Sequence, residues 1–189
     1  MIVIIPYQSD WPERFNGYGQ LLRRALGPLA LRIDHIGSTS VLGLAAKDVI
    51  DIQVSVSELI PEVEQALNEA GYARLQRITR DHLPPGMVDE PDQWAKWFFT
   101  EPVEIRRMNL HVRVEGRANQ RYPILFRDYL RANPTAAAAY GQVKIALATR
   151  HAEDADAYYD IKDPVCDIIM AGAENWAEAT KWEPCASDR

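Results

Sequence analysis

The residues best suited to chemistry in this chain lie in two short stretches. The first is HIGSTSVLGLAAKDVIDIQV, His35 to Val54, where the small-residue turn Gly37-Ser38-Thr39-Ser40 is followed by Lys47, by a solitary acid, Asp51, and by Gln53. A Gly-Ser turn leaves main-chain N–H groups pointing outward, and N–H groups gathered at a bend attract phosphate. The second is MNLHVRVE, Met108 to Glu115, which offers Asn109, His111 and Arg113 at alternate positions. Arginine grips an oxyanion through two parallel hydrogen bonds and lysine acts as a point charge, so Lys47, Arg113 and the later Lys162 are candidate anion contacts. The chemistry this set suggests is recognition of a phosphorylated ligand, with Asp51 as the acid placed to do more, as metal ligand or catalytic group.

Metal-assisted phosphoryl transfer asks for several carboxylates on neighbouring strands. Here Asp51 is followed on the same strand face by Gln53, which brings an oxygen but no charge to a hard cation such as Mg²⁺, so a two-metal mechanism is poorly supplied. Glu101, Glu104 and Glu115 read as solvated strand-end residues, and Arg106 and Arg107 as solvated neighbours of the second stretch. His35, His82, His111 and His151 lack metal-ligand spacing; His111 is kept as a pocket residue because of its position on the strand. Ser38 is not in a Gly-x-Ser-x-Gly elbow, which argues against a serine hydrolase. The aromatic set Trp94, Trp97, Phe98 and Phe99 has the means to stack a base, but such sets more often build a core or a sheet surface.

The elements that must position these residues follow from periodicity. Asp10-Trp11-Pro12-Glu13 predicts a helix start, Phe15, Tyr18, Leu22 and Leu26 continue it, and Gly27-Pro28 ends it. LRIDHI predicts a strand ending at Gly37. In VIDIQVSV, alternation puts Ile50, Ile52, Val54 and Val56 on a core face and Asp51, Gln53 and Ser55 on an open one. In MNLHVRVE, Met108, Leu110, Val112 and Val114 oppose Asn109, His111, Arg113 and Glu115 in the same way. If both strands share a sheet, their polar sets face one cavity. Ser57 to Gly71 predicts a helix, WAKWFFTE a strand, and DHLPPGMVDEPDQ a loop able to cover a site. From Tyr122 onward the chain predicts helices: one to Arg131, a second starting at Asn133-Pro134, and a third from Asp154 to Trp182 that Pro164 should kink or break. The expectation is a single α+β domain over residues 1–189, with a mixed sheet, helices on one face, and a helical C-terminal segment over about 122–182.

Composition bounds the function. The chain has 189 residues, is 47% hydrophobic and 25% charged, and carries a formal net charge of −6. A net negative chain of this kind lacks the positive field on which non-specific binding to nucleic acid or anionic lipid depends. MIVIIPYQSDW is apolar for only a few residues and predicts neither a signal peptide nor a membrane span. Cys166 and Cys185 form no metal-like spacing or disulfide framework, so the expected setting is the cytoplasm.

The same stretches carry a resemblance. HIGSTSVLGLAAKDVIDIQV, together with YQSDWPERF, NLHV, LFRDYLRANP, YYDIK and AENW, resembles the GrpB family, whose members are similar to the nucleotidyltransferase superfamily. Against the family's first motif, HxGSTSVPGLxAKPIID, this chain matches at Gly37, Ser38, Thr39, Ser40, Gly43, Leu44, Lys47 and Asp51. It departs at Leu42 and Asp48, where the family has prolines that fix φ, and at Asn109, where many relatives have histidine. The resemblance implies a nucleotidyltransferase-like fold, a nucleotide held by the Gly37 to Ser40 turn, and Mg²⁺ held by Asp51. Lys162 falls in the family's late Tyr-x-x-x-Lys pattern, Tyr158 to Lys162. Two functions are therefore expected from this reading: a divergent nucleotidyltransferase, or a binding module for a phosphorylated ligand. Fusion of some relatives to a dephospho-CoA kinase links the second to coenzyme A metabolism.

Overall fold

The computed structural model describes residues 1–102 and 107–189. Among these, five strands make one mixed sheet: β1 (Arg32–Ile36), β2 (Ile50–Val56), β3 (Ala73–Arg74), β4 (Trp97–Thr100) and β5 (Met108–Val114), in the order β1-β2-β5-β4-β3. The central pair, β2 and β5, runs parallel, with antiparallel neighbours on either side. Its register sets Asp51 beside Asn109 and Gln53 beside His111.

One sheet face is covered by α1 (Trp11–Leu26) and α2 (Pro61–Glu69). Helical spacing brings Trp11, Phe15, Leu22 and Leu26 of α1 to the alternating Ile50, Ile52, Val54 and Val56 of β2, and Val63 and Leu67 of α2 close the same core. Beyond the short α3 (Pro91–Trp94), the helical C-terminal segment comprises α4 (Ala118–Ala132), α5 (Pro134–Arg150) and α6 (Ala155–Thr180). Its helices hold together through their own apolar contacts, Leu125, Met170 and Ala173 among them, while α4 also meets β1 and β5. The α+β class and the mixed sheet agree with the sequence expectation.

Several details differ for physical reasons. Helix α2 starts at Pro61 rather than Ser57, because the residue before a proline avoids helical angles and Ile60 is extended. Helix α4 starts at Ala118, ahead of Tyr122, and contains Pro123. Helix α6 runs unbroken through Pro164; the carbonyl that this proline leaves without a partner belongs to the exposed Asp160, where water can take it. The polar face of β2 is not open along its length. Gln53 and Ser55 are fully buried: Gln53 Nε2 donates to the Gln120 carbonyl at 3.0 Å, and Gln120 Nε2 donates to Ser55 Oγ at 3.2 Å. Only Asp51, at the start of the strand, stays partly exposed.

The outer edge of β1 is covered by residues 185–189. Ile33 N–H donates to Ser187 Oγ at 2.8 Å, His35 N–H to Asp188 Oδ2 at 2.9 Å, and Arg189 N–H to the Ile33 carbonyl at 3.1 Å. The buried Arg127 of α4 joins the two strips, donating from Nη1 to the His35 carbonyl at 3.0 Å and to Asp188 Oδ2 at 2.9 Å.

Candidate functional site

Where β1 ends and β2 and β5 begin, the sheet opens onto a hollow of about 450 Å³. Gly37, Ser38 and Thr39 line one side, Lys47 and Asp51 the base, and Asn109 and His111 the neighbouring strand. Helices α5 and α6 supply the opposite wall with Lys144, Tyr158, Tyr159 and Lys162. The parity argument thus holds for Asp51, Asn109 and His111, which do share one cavity.

Asp51 and Gly37 fit closely. Gly37 has a positive φ of 69°, and a Cβ there would collide with Asp51 Oδ2, so glycine is required both by the backbone and by the carboxylate behind it. Asp51 Oδ1 accepts a hydrogen bond from Asn109 Nδ2 at 2.7 Å. Burial raises the Asp51 carboxyl above its ordinary value; the Asn109 hydrogen bond and the charges of Lys47, Lys162 and Lys144 act against that without cancelling it.

The turn itself is a 3-10 segment, Ser38–Ser40, held from behind. Ser40 Oγ donates to the Gly37 carbonyl at 2.6 Å, and Arg131 donates from Nε and Nη2 to the Ser40 carbonyl at 3.0 and 2.9 Å. Thr39 Oγ1 lies 3.0 Å from His35 Nε2. His35 is pushed down to about 3 by burial and by Arg131 and Arg127, so it is a neutral partner at pH 7. Ser40 and Val41 N–H groups are taken by the Gly37 and Ser38 carbonyls, whereas among the described residues no hydrogen bond occupies the N–H of Ser38 or Thr39.

Four lysines line the hollow; Lys96 is committed to Asp81, and the other three reach it from three separate elements. Lys144, on α5, donates to Ser38 Oγ at 2.7 Å and to the Ala45 carbonyl at 2.6 Å; burial lowers its amine to about 7. Lys47, in the loop before β2, donates to the Tyr159 hydroxyl at 2.6 Å. Lys162, on α6, bonds Asp163 at 2.6 Å. Burial works against the Lys162 charge, yet Cys166 and Asp163 outweigh it and hold the amine above its ordinary value. The Tyr159 ring lies between Lys47 and Lys162, 5.1 and 5.6 Å from their amines.

Other expected residues are used differently. Ser40 is a buried brace of the turn, not a lining residue. Gln53 and Arg113 are also buried away from the hollow: Arg113 Nη1 donates to Gln53 Oε1 at 2.7 Å, while its Nε and Nη2 grip Asp81 at 2.8 and 2.9 Å. Asp81, from the loop after β3, also accepts from Lys96 Nζ at 2.6 Å and Asn119 Nδ2 at 3.0 Å. Burial alone would raise the Asp81 carboxyl, but Arg113 and Lys96 hold it well below the usual carboxylate range. His111 is kept neutral by burial, Arg113 and Lys96, and lies edge-on to Phe98 at 5.0 Å. Arg107 is exposed and Glu115 is exposed; Glu104 and Arg106 lie outside the described residues.

The sequence reading missed Lys144, Lys96, Asp81 and Tyr159. Lys144 sits in an alanine-rich helix and Asp81 in a proline-rich loop, and nothing local marks either as buried. Tyr159 stands beside Tyr158 in YYDIK, which is the one available hint. The donors around Asp51 fall short of a magnesium set. One of its oxygens accepts from Asn109, the Gln53 oxygen accepts from Arg113, and among the described residues no group of three or more His, Cys, Asp or Glu side chains is placed to hold a metal ion.

Comparison with known proteins gives a consistent picture. The family described as GrpB protein matches residues 1–171. A protein named dephospho-CoA kinase from Mycolicibacterium paratuberculosis is 36% identical over 195 residues, covering 96% of this chain and 48% of the relative. The chain thus spans about half the length of the curated relatives of that name. The crystal structure of conserved protein GrpB from Enterococcus faecalis is 30% identical, with a TM-score of 0.70 over 92% of this chain and 99% of that one. Cid1 in complex with its short product ApU has a TM-score of 0.51 at 14% identity, covering 79% of this chain and 44% of Cid1, a likeness of fold alone.

Proposed function

The chain belongs to the GrpB family, and from that premise we propose that it binds a phosphorylated small molecule, a nucleotide in the first instance, in the hollow between the Gly37 turn and helices α5 and α6. The observation that carries this reading is the convergence of Lys47, Lys144 and Lys162, from three separate elements, on one cavity that also receives Ser38, Thr39 and Tyr159. Three amines brought together cost electrostatic energy unless anions join them; Asp163 is already paired with Lys162 and Asp81 with Arg113 and Lys96, which leaves Asp51 as the acid of the hollow with no ion pair of its own among the described residues. In the bound state the lysines are the charge partners and the N–H groups of Ser38 and Thr39 add directional hydrogen bonds. Asp51, with Asn109 fixing one of its oxygens, accepts from a ligand hydroxyl. The fold's likeness to Cid1, whose structures hold ApU and a UTP analogue, supports the nucleotide class at the level of architecture.

This reading needs no metal. A second reading, a divergent Mg²⁺-dependent nucleotidyltransferase with Asp51 as metal ligand, is favoured by the fold alone; the kinase activity named for longer relatives concerns proteins about twice this length. Titration calorimetry with inorganic phosphate and a panel of nucleoside phosphates, with and without Mg²⁺, separates the two. The expected result is metal-independent binding, weakened about tenfold or more by Lys162→Ala, in line with roughly 1.5–3 kcal/mol for a hydrogen bond to a charged group. Affinity that appears only with Mg²⁺ and vanishes in Asp51→Ala puts the transferase reading in its place. A panel in which nothing binds removes both.

A further inference from the structure

At its α6 end the lysine hollow adjoins a second cavity. Asp81, His82, Lys162 and Asp163 line both the hollow and a smaller cavity of about 210 Å³. That cavity in turn shares His82, Trp94, Tyr122 and Asp167 with a surface groove of about 670 Å³ between the proline-rich loop and α6. His82 lines all three, and its Nε2 lies 2.9 Å from Asp167 Oδ2, tying the loop to the helix where the cavities meet. The chemistry changes along this path. The hollow is lined mainly by lysines, tyrosines and aspartates; the groove is lined mainly by apolar side chains such as Pro84, Met87, Pro164 and Ile168, with Met87 and Ile168 51% and 73% exposed, and with the Arg121–Glu174 pair among its few charged groups. Exposed apolar side chains gathered in one concave surface mark a binding site more often than isolated ones do.

We propose that the ligand is amphipathic: a phosphorylated head in the lysine hollow and an apolar arm that passes His82 and lies in the groove between Pro84-Pro85 and Ile168. This rests on the phosphate reading of the hollow and adds the class of molecule it takes. The groove's occupant is the ligand's own arm, because the groove adjoins the head site through the small cavity and residues shared with it, and its lining is mostly apolar, with its Arg121 and Glu174 already paired to each other.

The test is a calorimetric comparison of inorganic phosphate, methyl phosphate and hexyl phosphate on the wild type, on Ile168→Glu and on Met87→Glu. Both substitutions are at exposed positions and leave the fold intact; thermal unfolding checks this. Hexyl phosphate is expected to bind on the order of tenfold or more tightly than methyl phosphate, the ceiling being about fourfold for each fully buried methylene. Each glutamate variant is expected to erase that gain and to leave inorganic phosphate unaffected. Equal affinity of methyl and hexyl phosphate, or a hexyl gain that survives both variants, overturns the arm. Failure of all three compounds overturns the phosphate hollow and the arm with it, whereas loss of all three in Lys162→Ala with the arm gain intact in the wild type supports both.

Discussion

Of the three carboxylates that border the hollow, Asp81 and Asp51 could hardly be treated more differently. Asp81 accepts four hydrogen bonds from Arg113, Lys96 and Asn119 and is held far down its titration range. Asp51 accepts one from Asn109 and is raised by burial, with three lysine charges near it. The difference separates an acid that serves as structural counter-ion from one left available to a ligand. It also explains why Arg113, expected from the sequence to be an anion contact, spends its guanidinium on Asp81 and Gln53.

The most damaging way to break this contrast is Arg113→Met. It leaves Asp81 and Gln53 buried without their main donor, and urea unfolding should show a loss of about 3–5 kcal/mol, the usual cost of breaking a buried pair from one side. A loss below about 1 kcal/mol would mean that Asp81 is no structural counter-ion. Next comes Gly37→Ala, which forces a side chain into a left-handed backbone and against Asp51 Oδ2. We expect destabilisation of roughly 1–3 kcal/mol together with loss of phosphate binding. Asp51→Ser in the same background should return part of the stability, and no recovery would show that the carboxylate contact is not what the alanine offends.

A third prediction sharpens the contrast through pH. Lys144 falls from 10.5 to about 7 in the folded chain because it is buried. Between those values the unfolded chain binds the proton and the folded chain does not, so this group makes stability rise with pH across the window. Urea midpoints of the wild type should therefore gain on those of Lys144→Met from pH 7 to pH 9; parallel profiles would refute the burial argument. The smallest effect is expected for Asp51→Asn. Its amide oxygen still accepts from Asn109, and the raised carboxyl stops weakening the fold as pH rises through its folded value. Stability at pH 7 should change by no more than about 0.5–1 kcal/mol in the favourable direction while ligand affinity falls, and a larger loss would move Asp51 into the same class as Asp81.

Local pattern made much of this legible. Alternation in VIDIQVSV and MNLHVRVE was enough to place Asp51, Asn109 and His111 on one side of two strands, and their parallel pairing confirmed the juxtaposition. Alternation has no way of telling how much of a polar face is covered. Gln53 and Ser55 are hidden by Gln120, more than sixty residues on, and the same pattern at Asp51 is not. Lys144 and Asp81 gain their roles from long-range contacts, to Ser38 and Arg113, that leave no periodic trace in their own segments. Pro164 misled for the converse reason. Its penalty is real, but one unpaired carbonyl on an exposed turn is a small loss in a helix anchored along much of its length.

The strip of residues 185–189 along β1 has a consequence for how the molecule behaves among its own kind. A strand with bare amides on its flank offers a template to any extended peptide that drifts past, including one from a neighbour caught half folded. Ser187 and Asp188 fill those positions with side-chain oxygens instead of a regular ladder, and Arg127 rivets the filler to α4. The margin is thereby occupied by a filler rather than by a further strand, which leaves a passing peptide few of the β1 amides to pair with.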